Sequence, residues 1–233
     1  MTTYRDREFI QFFDREGGSL YRKLNFINCT FINCSLSPTK SPRLCTIVQY
    51  VQIVNCSTVN CLAGPTVFEH VTIDGLDTND LLILPSPMFN RVVIKGRVGR
   101  IKINSDAFFV DCTTEAQAPF DLARSKFYEN VDWALDISQA EFREFEVQGI
   151  PSRLIRRDPE TQVVITREKA LESTWRDRLS STNTFWPFVI DLFLRDGDSD
   201  TVLVAPKGRR SKRSDRLLAE LMEIRDAGVA EPD

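Results

Sequence analysis

A beat of five residues constrains this chain more than any other feature. It opens as LNFIN-CTFIN-CSLSP from Leu24, with an apolar residue third in each unit (Phe26, Phe31, Leu36) and a small or apolar residue first (Leu24, Cys29, Cys34). After a break it resumes as TIVQY-VQIVN-CSTVN-CLAGP, then TVFEH-VTIDG-LDTND-LLILP, SPMFN-RVVIK-GRVGR-IKINS and DAFFV-DCTTE-AQAPF. A further change of phase gives FDLAR-SKFYE-NVDWA-LDISQ-AEFRE-FEVQG, ending at Gly149. Leaving out AQAPF, whose last residue opens the next phase, 19 of the 23 third positions are apolar, where a composition of 42% hydrophobic residues gives about ten. Amphipathic helices repeat at three and four residues and simple strands at two, so a period of five fits neither.

If four units make one turn, residues twenty apart stack. Val48, Phe68, Met88 and Phe108 then form one column, and Ile53, Ile73 and Val93 a second, ending at Thr113. Thr58, Thr78 and Val98 form a third, and Ala63, Ile83 and Ile103 a fourth. At the strand spacing of ~4.8 Å, six or so turns predict a rod roughly 30 Å long.

On these units the chain resembles the pentapeptide-repeat family, whose pattern is a small residue, a polar one, Leu or Phe, then two free positions. CTFIN, CSLSP, FDLAR, SKFYE and AEFRE match it well, whereas RVVIK, GRVGR and NVDWA match poorly. The resemblance covers residues 24–149. It implies a mainly β fold: a right-handed parallel β-helix solenoid with four sides, each pentapeptide forming one side. The expected organisation is an N-terminal capping helix over residues 1–23, the β-helix over 24–149, and a mostly helical appendage with one short strand over 150–233.

Charge argues against a nucleic-acid footprint. The net charge is −3; the repeat region holds ten basic and fourteen acidic residues, and residues 150–233 hold fifteen of each. No apolar run approaches the ~18 residues of a membrane span, and the N-terminus lacks a signal-peptide pattern, so a cytoplasmic protein is expected. Cys29, Cys34, Cys56 and Cys61 hold first positions, where a free thiol serves as a small interior side chain. With His70 as the lone histidine, and with C-x4-C spacing, no zinc site is expected.

RDREFIQFFDRE (5–16) reads as an amphipathic lid helix with Phe9, Phe12 and Phe13 on one face. SPTKSPR (37–43) reads as a surface loop. Arg91 falls at a first position, with Asp111 one turn on. The two either pair in a partly dry site or both reach water where the turns flare. Asp132 breaks the third-position rule, which suggests a bulge turning Val131 or Trp133 inward.

Beyond Pro151 the pattern turns helical. Thr166 is a candidate N-cap for REKALESTWRDRLSS, and TFWPFVIDLFLRDG reads as an apolar helix with Pro187 in its first turn. This second helix either caps the rod or meets a partner. Asp196, Asp198 and Asp200 imitate the start of a calcium loop, but Thr201 and Lys207 stand where Gly and Glu belong, so a solvated turn is expected. TVLVAP reads as a strand. The basic stretch KGRRSKRSDR precedes a helix capped by Ser214 and stopped by Gly228.

No P-loop, dinucleotide fingerprint or nucleophile elbow is present. His70 at a corner, and acidic pairs among Asp74, Asp77 and Asp80, are the nearest approach to catalytic groups. The expectation is a non-catalytic protein-binding solenoid without cofactor or metal that regulates or neutralises a protein partner. The resemblance adds three implications: a toxin-immunity role as in relatives that accompany bacterial toxins, a DNA mimic that binds DNA gyrase, and end-to-end homodimers through C-terminal turns. A carbohydrate-acting β-helix enzyme is a further alternative. Candidate partner-binding residues are Lys207, Arg209, Arg210, Lys212 and Arg213 in the basic stretch, with Trp186, Phe188 and Phe193 on the apolar helix.

Overall fold

The structure is a computed structural model of the 233-residue chain, described at all residues except 15–16, 38, 108–112, 208–211 and 232–233, and except the side chains of Ser173 and Glu231. It is mainly β, with large parallel sheets. The first pass of the chain forms β1 (Thr2–Arg5), β2 (Glu8–Ile10) and β3 (Leu20–Arg22). The second forms β4 (Leu24–Ile27), β5 (Thr30–Ile32), β6 (Ser35–Leu36) and β7 (Thr46–Gln49). The third forms β8 (Gln52–Val59), β9 (Leu62–Ala63) and β10 (Thr66–Glu69), and the fourth β11 (Thr72–Pro85) and β12 (Met88–Asn90). β13 (Val92–Asn104) leads to helix α1 (Thr114–Tyr128), and β14 (Leu135–Val147) leads to β15 (Ile155–Arg156). One parallel sheet runs β1-β4-β8-β11-β13-β14-β15, and a second runs β12-β10-β7-β3.

The pairing register shows why these strands stack. Tyr4 lies beside Phe26, Phe26 beside Ile53, Ile53 beside Ile73, and Ile73 beside Ile94. In the second sheet Tyr21, Val48, Phe68 and Phe89 follow one another. Both files converge on one apolar core with Cys56, Val71, Leu76, Ile101, Leu135 and Phe142. Stacking like on like keeps the interior layers largely apolar while the backbone is satisfied between passes.

The first, second and fourth expected columns are each corrected by one residue. Thr58 pairs with Thr78 as the beat of twenty requires, but Leu62 pairs with Ile83, so one residue is gained in the corner 79–81. Leu84 thereby takes the place of Ile83 after Ala63, and the third positions move on by one as far as Ile94, whereas Ile103 keeps its column beside Leu84 and Val147. Phe89, not Met88, follows Phe68, and Ile94, not Val93, follows Ile73. Met88 instead packs outside with Cys45, Ala107 and Phe120. Arg91 thereby becomes a corner residue, exposed and at φ 57°, rather than an inward first position. Asp111 and Phe108, its expected partner and the expected end of the first column, lie outside the described residues. The third column also changes, because Val98 lies beside Leu76 and Phe142 while Gly99 meets Thr78. Asp132 is exposed in a loop and Val131 is buried, without a strand bulge.

Fifth positions form the corners. Lys23, Asn28, Asn33, Tyr50, Asn55, Asn60 and His70 all have φ between 50° and 56°, and Gly75 and Gly96 continue the Asn28–Asn55 corner at φ 75° and 69°. The left-handed region disfavours most side chains; Asn tolerates it and Gly is unhindered, which explains the residues found there. Asn60 Nδ2 donates to Asn33 Oδ1 at 2.7 Å, and Asn28 Nδ2 to Asp6 Oδ1 at 3.0 Å, so adjacent corners are tied.

Two expectations of secondary structure fail. The segment read as an N-terminal lid helix is β1 and β2, parallel to β4 and β5 in register. Tyr4 stacks on Phe26 and Phe9 on Phe31, ring on ring, which extends the interior columns one pass further than the sequence beat announced. FDLAR and SKFYE, good matches to the repeat, lie in α1. Thr113 caps that helix through Ala116 N–H, and Phe120 and Tyr128 are buried on one face, while Leu122, a third position in the beat, is exposed. Helical spacing (120, 124, 127, 128) prevails because that face packs on the outside of the second sheet. Tyr128 Oη accepts from Phe89 N–H at 3.3 Å.

Residues after Pro151 form a three-stranded antiparallel sheet, β16 (Gln162–Thr166) between β17 (Asp200–Val204) and β18 (Ala230–Glu231). Three helices accompany it: α2 (Arg167–Leu171), α3 (Phe185–Asp196) and α4 (Lys212–Asp226). β16 and β18 were not foreseen. Thr166 caps α2 as expected, but the helix ends at Glu172, whose ψ is 121°, and a 3-10 turn follows over Ser173–Arg178. α4 starts at Lys212, so Ser214 lies inside it rather than capping it.

Candidate functional site

The C-terminal sheet and helices complete the end of the β region. β14 carries backbone carbonyls along its free edge, and the C-terminal segment supplies their donors. Gln162 Nε2 donates to Ile137 O at 3.0 Å, Lys207 N–H to Phe142 O at 2.9 Å, and Thr201 Oγ to Val147 O at 3.0 Å. The DGDSD turn fastens the same joint. Asp198 accepts from Gly149 N–H at 3.0 Å, Asp200 from Ser152 N–H at 2.7 Å, and Asp196 from Gln148 Nε2 at 2.6 Å. These carboxylates, read from sequence as a solvated turn, are acceptors at an internal contact. Burial pushes the Asp198 carboxyl above its ordinary range, and Asp200 and Asp106 add to this against the Gly149 N–H and the nearby Arg124.

A polar cleft of about 340 Å³ lies beside this joint, bounded by α1, Gly149–Pro151 and Asp198–Asp200. Four of its charged groups are engaged within the fold: Arg124 donates to Ser105 O at 2.6 Å and pairs with Asp121 at 2.7 Å, and Asp198 and Asp200 accept from the backbone as above. Thiols are similarly committed. Cys56 Sγ accepts from Cys29 N–H at 3.3 Å, and burial pushes the Cys45 thiol up to about 11 and the Cys56 and Cys61 thiols upward. A buried, protonated thiol is a poor nucleophile. His70 stacks on Tyr50 with ring centroids 4.8 Å apart, and Asp74 pairs with Lys95 at 3.1 Å. No group of three or more acidic, His or Cys side chains suited to a metal occurs among the described residues.

Among the described residues, α3 is a helix with apolar side chains on both its packed and its exposed faces. One of its faces is packed: Trp186, Ile190 and Phe193 are buried against α4 and the sheet, and Trp186 Nε1 donates to Leu217 O at 2.8 Å. The opposite face carries Phe185, Phe188 and Leu192 at helical spacing, 38%, 60% and 41% exposed. Leu171, on α2 beside it, is 64% exposed. An Arg176–Asp191 pair at 2.5 Å borders the stripe, with Arg176 lying over the Trp175 ring at 4.3 Å. Exposed apolar side chains grouped on one helix face, with charge at the margin, are the composition of a protein-docking surface.

The residues expected to bind a partner therefore divide. Phe188 is on the exposed face; Trp186 and Phe193 are core, which corrects their assignment, because the sheet claims the face they occupy. Phe185, Leu192 and Leu171 join the surface, and only the packing of the opposite face reveals them. Lys207 is exposed but pairs with Asp158 at 3.1 Å. Lys212 and Arg213 are exposed at the start of α4, and Arg209 and Arg210 lie outside the described residues. Among the described residues no helix is long and apolar enough to cross a membrane. Neither a protein-family model nor a curated protein matches this chain.

Proposed function

We propose that the chain is a non-catalytic protein-binding protein in which a four-sided β-helix of pentapeptide type carries a C-terminal docking unit. The β-helix reading is supported by the order in which the chain visits its strands. β4, β5, β6 and β7 are followed by strands that pair with each in turn, with left-handed corners between them and one core inside. Docking rests on one observation: α3 exposes Phe185, Phe188 and Leu192 although its other face is already filled. A partner presenting an apolar groove would take that stripe as grooves take amphipathic helices. Its regulation or neutralisation follows from occupying that groove.

The outer face of the β region weighs against DNA mimicry. Along β13 and β14, Arg97 stands by Glu141, Arg100 by Glu144 and Lys102 by Glu146, at 3.9, 3.8 and 2.7 Å. Paired signs leave little of the continuous negative field that a mimic of duplex DNA requires.

The test is capture from lysate of the source cells. The wild-type chain is expected to recover one protein in stoichiometric amount, and the doubly changed Phe188→Asp, Leu192→Asp chain to lose it while keeping its circular dichroism. Equal recovery by both would overturn the assignment to α3.

A further inference from the structure

The two ends of the β region are finished differently. At the C-terminal end the edge of β14 is met by Gln162, Thr201 and the Lys207 amide. At the N-terminal end β1 and β2 are edge strands, each pairing on one side only, with β4 and β5. Among the described residues nothing pairs with their other side. This end also gathers exposed apolar groups: Tyr4, Ile10, Phe12, Phe13 and Leu20. Such an edge is a template for another strand unless charge or shape prevents it.

Here charge favours one arrangement. The corner between β1 and β2 reads Arg5-Asp6-Arg7-Glu8, and all four are exposed. We propose that two copies of this chain join end to end through this pass, related by a two-fold axis at the Asp6–Arg7 corner, with β1 of each pairing antiparallel to β2 of the other. The register is dictated by the alternation of faces. Tyr4 and Phe9 point inward, since each stacks on the next pass, whereas Thr3, Arg5, Glu8 and Ile10 are exposed or largely so. Antiparallel pairing that sets Tyr4 opposite Phe9 of the second copy keeps inward beside inward. The same register places Arg5 opposite Glu8, Asp6 opposite Arg7 and Thr3 opposite Ile10. A shift by one residue would put an inward ring beside an outward charge. The two-fold repeats every contact, so two Arg–Glu pairs form across the junction. The two apolar interiors meet ring to ring at Tyr4 and Phe9, which removes the exposed rings from water.

This association uses the end of the β region opposite to α3 and stands independently of the docking reading. Sedimentation velocity of the full chain at micromolar concentration is expected to show a dimer. Arg5→Glu and Glu8→Arg each place like charges opposite one another twice, and each is expected to weaken the dimer roughly tenfold or more. The combined Arg5→Glu, Glu8→Arg chain restores opposite signs and is expected to recover the dimer. All these side chains are exposed, so folding, followed by circular dichroism, is expected to be unchanged. A wild-type monomer overturns the proposal. So does a dimer that neither single change weakens, or a double change no better than the singles. A dimer lost on Phe188→Asp would instead place self-association at α3.

Discussion

At the scale of single residues, the fold is held by positions where a neighbouring pass leaves no room. Gly99 is the clearest. A Cβ there would lie 2.0 Å from Thr78 Oγ1 and 2.5 Å from Thr78 N, and Thr78 Oγ1 is itself the acceptor for Arg100 N–H at 2.5 Å. Backbone must therefore move to admit one methyl group. Gly99→Ala is expected to destabilise the chain by about 3 kcal/mol, read as a lower urea midpoint. Asp14 illustrates the opposite requirement. Its buried carboxylate accepts from Ser19 Oγ at 2.7 Å and from Thr46 Oγ1, so an acid that would oppose burial becomes a clasp between passes. The free thiols of the first positions are legible from sequence because a small interior residue is what the pattern needs. The left-handed corners at Asn28, Asn33, Asn55 and Asn60 came only with the structure, although Asn is a residue that tolerates that conformation.

At the scale of elements, α1 shows how two periodicities compete for one segment. FDLAR and SKFYE satisfy a five-residue pattern, yet Phe120 and Tyr128 satisfy a helical one, and the sequence does not rank them. The choice is made by Cys45, Met88 and Ala107, which wait on the outside of the second sheet for a side chain to cover them. Phe120→Ala is expected to cost about 3–5 kcal/mol and to release α1, while the parallel strands persist. Hydrogen exchange would report faster exchange at the amides of α1 and at Phe89, whose N–H loses the Tyr128 hydroxyl. Protection of β4, β8 and β11 would remain. In the N-terminal segment the error runs the other way. Phe9, Phe12 and Phe13 fit a helical face, but Tyr4 and Phe9 are five apart and continue the interior columns above Phe26 and Phe31. Stacked rings on an existing apolar column outweigh a short helix that would have had to form alone.

At the scale of the whole molecule, the joint between the β region and the C-terminal unit is an arrangement of carboxylates against backbone donors. The raised Asp198 group gives this joint a pH dependence. Its folded value lies above its unfolded one, so its contribution favours the native state most at low pH and is lost as pH rises through the folded value. Asp198→Asn retains an acceptor for Gly149 N–H and removes the charge. The variant is expected to be more stable than the wild type near neutral pH and to converge with it at about pH 3, as checked by urea unfolding at both. The two-ended character of the molecule follows from the same view: one end is met by the C-terminal segment, while at the other β1 and β2 pair, among the described residues, on one side only.

The sequence by itself determined that side chains stack at intervals of about twenty residues wherever no loop or helix is inserted between strands, because an apolar residue every five is a local requirement repeated along the chain. It also determined the free thiols, which answer to one residue's own size. The one-residue gain at 79–81, the helix in place of two repeats, the strand edge at Tyr4 and Phe9 and the exposed face of α3 were decided only in the tertiary structure. Each depends on which distant surface claims a side chain first: Phe89 over Met88 for the interior, the C-terminal sheet over solvent for Trp186. A linear pattern names residues fit for burial, and packing chooses among them.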